Sequence, residues 1–257
     1  MVRYSIYQAP FFSFFSASFY RYVGLSMAGL PLFYLFLLVA SCSVLTMAKL
    51  HQAVSDFVEN KLPLYAEQLP TVIITRGQVS TDVPTPYVIE DPDTGAPFII
   101  IDTTGAVTTL QGTEAFVLVM RDKILYRKQN TLRTLDLSDV DSLTIDYDRV
   151  IEWGSTAKRW LAVVLYPFAA LFYFVWRAIQ TMVFAGIGML FAKHFRARLG
   201  YKALVRLSVV AITPPIVLDT LLFYFDATIP LWAIFFFAVS MGYVYYGVRS
   251  CAPSHVA

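Results

Sequence analysis

Cysteine is nearly absent from this chain of 257 residues: there are two, Cys42 and Cys251. Neither lies in the charged middle of the sequence, so that part cannot be stapled by a disulfide and must fold on its own apolar core. Histidine is almost as scarce. His51, His194 and His255 are expected on different elements, whereas a catalytic zinc site needs about three converging protein ligands. Also missing are a glycine-rich phosphate loop, a nucleophile elbow, and any Ser-Lys or Ser-His pair that the sequence brings together. These absences imply no cofactor and no metal, and they point away from an enzyme.

Charge is scarce too. Only 15% of the residues are charged and 57% are hydrophobic, with a mean hydropathy of +0.59, which excludes an ordinary water-soluble globule. The apolar residues fall into two blocks, at 23–47 and 160–248, with a charged stretch between them. That is the layout of membrane anchors around a soluble insert. Residues 50–156 carry 16 acidic and 8 basic side chains, while the rest of the chain carries 12 basic and 2 acidic. The basic residues stand at the ends of apolar segments and not in a cluster among exposed aromatics. They read as topology signals, and no nucleic-acid partner is expected.

The first 22 residues are rich in aromatics (Phe11, Phe12, Phe14, Phe15, Phe19, Tyr20), with Arg3 and Arg21 at the edges. They predict a helix lying on the membrane surface. Residues 23–47 hold no charge and would extend about 37 Å as a helix, enough to cross a hydrocarbon core of about 30 Å, with Pro31 as a bend. A lipoprotein signal is the rival reading, because Val39-Ala40-Ser41-Cys42 has the small residues that precede a lipidated cysteine. The long n-region and the apolar residues beyond Cys42 oppose it, and a thiol within a membrane helix is preferred.

Residues 160–192 are apolar but interrupted by Arg177, and so predict one long helix or two short ones. The densest basic stretch, Lys193, Arg196, Arg198, Lys202 and Arg206, is expected to stay in the cytoplasm. Four spans then follow, with both termini inside and the insert outside; a split at Arg177 would make five. The expected organisation is a surface helix at 1–22, a first span at 23–48, an outward domain at 49–157, a helical bundle at 158–250 and a tail at 251–257.

Within the insert, residues 49–68 carry apolar positions at helical spacing, checked by Pro63 and ended by Pro70, and predict a stalk helix, kinked or in two pieces. Beyond it, short runs rich in β-branched and aromatic residues at 71–75, 87–90, 97–102, 116–120 and 124–127 alternate with turn signals. They predict a small antiparallel sheet of four to six strands, followed at 135–153 by a short strand and a helix. The fold class expected is α+β: a transmembrane helical bundle with a small β-rich insert.

Few motifs carry chemistry. Asp91, Asp93 and Asp102 lack the twelve-residue calcium loop and are read as solvated hairpin turns. Asp102-Thr103-Thr104-Gly105 resembles the phosphorylated motif of cation-pumping ATPases only superficially, since no lysine follows the aspartate. The most specific polar feature is Arg177 in one apolar segment and Asp219 in another, each costly in a membrane unless paired or hydrated. Counted from Ala192 and from Arg206, their depths agree within about 3 Å, so an ion pair is expected, either a clasp between helices or part of a gate. Thr213-Pro214-Pro215 must break the hydrogen-bond ladder of the helix that carries Asp219. Gly24, Ala28, Gly186 and Gly188 are read as helix-packing positions.

The order of certain short motifs is informative. The stretch Phe15-Ser16-Ala17-Ser18-Phe19-Tyr20-Arg21 precedes an insert carrying Leu69-Pro70, Gly77-Gln78-Val79-Ser80, Pro86-Tyr87 and Ile100-Ile101-Asp102-Thr103. Then come Tyr201-Lys202-Ala203-Leu204-Val205-Arg206-Leu207-Ser208 and Thr213-Pro214. In this the chain resembles the bacterial membrane proteins of the domain-of-unknown-function 1189 family, whose C-terminal helices are loosely similar to the Yip1-type membrane fold. The resemblance implies a multi-pass protein of the bacterial cytoplasmic (inner) membrane and supplies no catalytic residues. The leading expectation is a non-enzymatic membrane protein, in contact with membrane lipids, whose outward domain binds an envelope partner or ligand or a further copy. The alternative is a transporter or channel subunit that uses Arg177, Asp219 and the break at Pro214 and Pro215.

Overall fold

The computed structural model describes residues 8–27, 31–129 and 131–253. The fold is α+β and divides into two compact units, one from the two ends of the chain, up to Leu50 and from Ala162, the other His51–Leu161. Arg3, Ala28 and His255 lie outside the described residues.

The expected surface helix is two short helices, α1 (Ala9–Phe12) and α2 (Ala17–Leu25). Ser16 caps the second by accepting a hydrogen bond from the Phe19 amide at 3.2 Å. One face of α2 is buried inside the helical unit: Phe19, Tyr20 and Val23 join the core formed by α6 and α8. The continuous span expected from residue 23 is not found. α2 ends at Leu25, and the long helix α3 covers Pro31–Asp56.

Helical geometry continues beyond α3 through a π turn at Phe57–Lys61 into α4 (Leu62–Ala66), the Leu62 amide bonding five residues back to Phe57. The widened turn stands just before Pro63, which cannot donate to the Glu59 carbonyl, and this gives the stalk its irregularity.

The sheets need three corrections to the expectation. Among the described residues eight strands form two sheets, not one. The first has the order β2-β1-β8 and the second β3-β4-β5-β6-β7. The strands are β1 (Val72–Thr75), β2 (Gln78–Thr81), β3 (Tyr87–Glu90), β4 (Pro97–Asp102), β5 (Val117–Met120), β6 (Lys123–Lys128), β7 (Thr131–Asp136) and β8 (Ser142–Ile145). Second, β4 and β5 run parallel. Their connection is a long crossover that buries Leu110 and Ala115 beside Ile100 and Leu118. Third, β2 and β7 were not anticipated. β2 follows a two-residue turn, Arg76-Gly77, with φ of 49° and 76°, the positive pair of a type I′ hairpin. β7 lacks apolar alternation and is exposed at all six residues.

One helix, α5 (Tyr147–His194), follows the sheets without interruption at Pro167 or Arg177. This decides between one long helix and two short ones. At 48 residues it is about 72 Å long, more than twice a hydrocarbon core. Its apolar residues point largely outward, with Phe172 76% exposed, as suits a surface facing acyl chains. After it come α6 (Tyr201–Ala211), α7 (Thr213–Tyr224) and α8 (Trp232–Ser250). Among the described residues three helical stretches, Pro31–Ala66, Tyr147–His194 and Tyr201–Tyr224, are long and apolar enough to cross a membrane, consistent with membrane association. The 19-residue α8 falls outside that set because Tyr243, Tyr245, Tyr246 and Arg249 dilute its hydropathy.

Candidate functional site

Arg177 projects from the middle of α5 with only 7% of its side chain exposed. A guanidinium so placed requires partners, and helical spacing supplies two from its own helix. Gln180, three residues on, accepts a hydrogen bond from Nη1 at 2.8 Å, and the hydroxyl of Tyr173, four residues back, accepts one from Nη2. A neighbouring helix supplies the counter-charge: Nη2 lies 3.0 Å from Asp219 Oδ2 on α7. The Tyr173 hydroxyl donates to the same carboxylate oxygen at 2.9 Å and so closes a triangle of donors and acceptor. The guanidinium also lies over two rings, 4.2 Å from the centroid of Phe236 on α8 and 4.6 Å from that of Tyr173. Arg177 Nε is buried without a partner among the described residues.

Asp219 is less enclosed, its side chain being 32% exposed. Oδ2 takes both hydrogen bonds, and Oδ1 takes none among the described residues. Asp219 forms a common wall of two cavities. The first, of about 340 Å³, is bounded by Cys42 and Thr46 of α3, Phe172 and Tyr173 of α5, and Thr220 of α7. The second, of about 320 Å³, lies toward the end of α7 and reaches Asp226, Thr228 and Trp232. At that end Lys49 bonds the Phe223 and Tyr224 carbonyls at 2.7 and 3.2 Å and pairs with Asp226, which places a cation on the negative end of the helix dipole.

Pro214 and Pro215 lie one turn before Asp219, where the helix divides into α6 and α7 at Ile212. Neither proline can donate, so the carbonyls of Val210 and Ala211 receive no amide from the residue four positions on. The adjoining Thr213 hydroxyl bonds the Val209 carbonyl at 3.2 Å and meets the buried Tyr34 hydroxyl at 3.1 Å. The break is thus tied to α3 by a side-chain hydrogen bond. It contributes no atom to either cavity.

Two of the glycines read as packing positions are in close contact. A Cβ on Gly24 would meet Cys251 Sγ at 2.6 Å, and one on Gly188 would meet Val244 at 3.3 Å, whereas Gly186 faces open space. Gly247, not singled out from sequence, is packed as tightly, against the Tyr20 ring.

In the β unit, the acidic turns bind their own backbone. Asp91 Oδ1 accepts from the Asp93 and Thr94 amides at 2.8 and 3.1 Å, and these bonds hold its carboxyl below the usual range. Asp102 corrects the expectation of a solvated turn, being fully buried. Burial pushes its carboxyl up, but the Thr104 hydroxyl and the Val107 and Thr104 amides outweigh that effect and hold it down. Among the described residues no three His, Cys, Asp or Glu side chains come together as a metal site.

The sequence singled out Arg177 and Asp219 but not Tyr173, Gln180 or the cavity walls. The i−4 and i+3 positions around a buried arginine are a usable signal for the first two. The walls come from three separated segments and leave no local trace. Comparison with curated proteins and with solved structures found no match. The sequence does match the family described as protein of unknown function (DUF1189) over residues 7–248, and the chain belongs to that family.

Proposed function

We propose that this is a non-enzymatic, multi-pass protein of the bacterial cytoplasmic membrane whose β unit engages an envelope partner through the free edge of β7. In this reading α8 supplies a fourth span, both termini lie in the cytoplasm, the β unit faces outward, and the helical part is akin to the Yip1-type fold. The carrying observation is that β7 is a terminal strand of its sheet and is exposed at all six positions. Leu132 and Leu135 stand on opposite faces, 40% and 54% exposed. A strand that covers no core yet presents leucines and an unpaired edge is suited to adding an extended segment of another protein. The acidic balance of the insert favours a partner that is basic beside its extended segment.

The test is photocrosslinking in intact cells from a benzophenone amino acid at Thr134. A discrete adduct with an envelope protein, lost on Leu135→Lys, is expected. Adducts with lipid alone, or with no species in particular, would count against the reading. A second reading, a transporter or channel subunit, is favoured by the two cavities that meet at Asp219, and liposome flux abolished by Asp219→Asn would support it.

A further inference from the structure

The two members of the intramembrane ion pair are unequally placed. Arg177 is enclosed by Gln180, Tyr173, Phe236 and the carboxylate, and it lines neither cavity. Asp219 lines both and keeps Oδ1 unbonded among the described residues. A molecule entering either cavity therefore meets the negative end of the pair first, with the guanidinium behind it. In a medium of low dielectric this asymmetry attracts a cation, because the nearer charge dominates.

The walls specify the remainder of the ligand. Phe172, Tyr173 and Phe223 surround the first cavity, and Phe223 and Trp232 the second, so aromatic rings flank the carboxylate on both sides. Ring faces favour weakly hydrated cations, and the volumes suit a molecule of drug-like size with an apolar body. Lys49, which pairs with Asp226 of the second cavity, is held there by the carbonyls of Phe223 and Tyr224. A small hydrated metal ion would meet one further carboxylate at the second cavity, Asp226, which is already paired with Lys49, and no cluster of three ligands among the described residues.

We infer that the twin cavity around Asp219 is a binding site for a lipophilic organic cation, with the free carboxylate oxygen facing the charge and the aromatic walls holding the apolar body. This goes beyond the reading of the β unit and does not depend on it. It supplies a ligand class for the helical unit.

The test uses the full-length protein in lipid nanodiscs with radiolabelled tetraphenylphosphonium as the probe and empty discs as the blank. Saturable binding is expected, weakened at least tenfold by Asp219→Asn and by Thr46→Trp, and not displaced by the neutral triphenylphosphine oxide. Thr46→Trp fills the first cavity from α3 and leaves the ion pair intact, so it decides the matter if Asp219→Asn does not fold. The absence of saturable binding above empty discs, wild-type affinity in Thr46→Trp, or equal displacement by the neutral oxide would each overturn the inference. Leu135→Lys in β7 should leave the binding unchanged, which separates a failure here from a failure of the edge-strand reading.

Discussion

Arg177 on α5 and Asp219 on α7 meet at 3.0 Å, and Tyr173 donates to the carboxylate oxygen they share. Removing one partner leaves a buried charge unmatched. Asp219→Ala should therefore cost about 3 kcal/mol, seen as a lower melting temperature of the solubilised protein. Arg177→Asp with Asp219→Arg should regain part of that loss. Melting temperatures that are simply additive would show that the two residues do not stabilise each other.

Close helix contact predicts a second coupling. Gly24 faces Cys251 so closely that an added methyl group would stand 2.6 Å from the sulfur. Gly24→Ala should destabilise by about 1 to 3 kcal/mol through overpacking, and Cys251→Ala in the same chain should relieve most of it. The same thermal assay reads the result, and equal damage with and without the sulfur would refute the contact.

Asp102 makes the β unit sensitive to acid. Its carboxyl is held below the unfolded value, so its stabilising contribution is complete above about pH 4 and is lost as pH falls through the lower, folded value. Amide exchange in residues 103–107 should accelerate as the pH drops below 4, after correction for the intrinsic rate. In Asp102→Asn that extra pH dependence should disappear, and its survival would place the sensitive group elsewhere.

Topology is open to direct measurement. In a background lacking Cys42 and Cys251, cysteines replacing Arg198 and Thr228 should label oppositely with an impermeant thiol reagent. Four spans predict that position 228 reacts from outside and position 198 only after the membrane is broken. The reverse pattern would invert the orientation, and reaction of both from one side would remove a span between them.

A polar break in the bundle gives the last expectation. Thr213→Val removes the hydroxyl that serves both Val209 and Tyr34, leaving a buried phenol and a carbonyl unpaired. A loss of about 1 to 3 kcal/mol should follow, largely restored by Tyr34→Phe. No restoration would mean that the two hydroxyls act independently.

Much of this molecule is written locally. Apolar length marked the helices, and Tyr87–Glu90 and Pro97–Asp102 were legible as strands because β-branched runs between turn residues have few other solutions. β7 was missed because a strand exposed on both faces has no reason to alternate.

The sequence by itself determined which segments are apolar enough for a membrane, and that Arg177 and Asp219 each required a partner. Tertiary structure alone decided that they face each other, that Tyr173 and Gln180 complete the arginine's shell, and that the carboxylate is the member left open to a cavity. Depth along a helix follows from counting residues. The rotation of one helix against another follows from how side chains far apart in the chain fill shared space, and no local pattern records it.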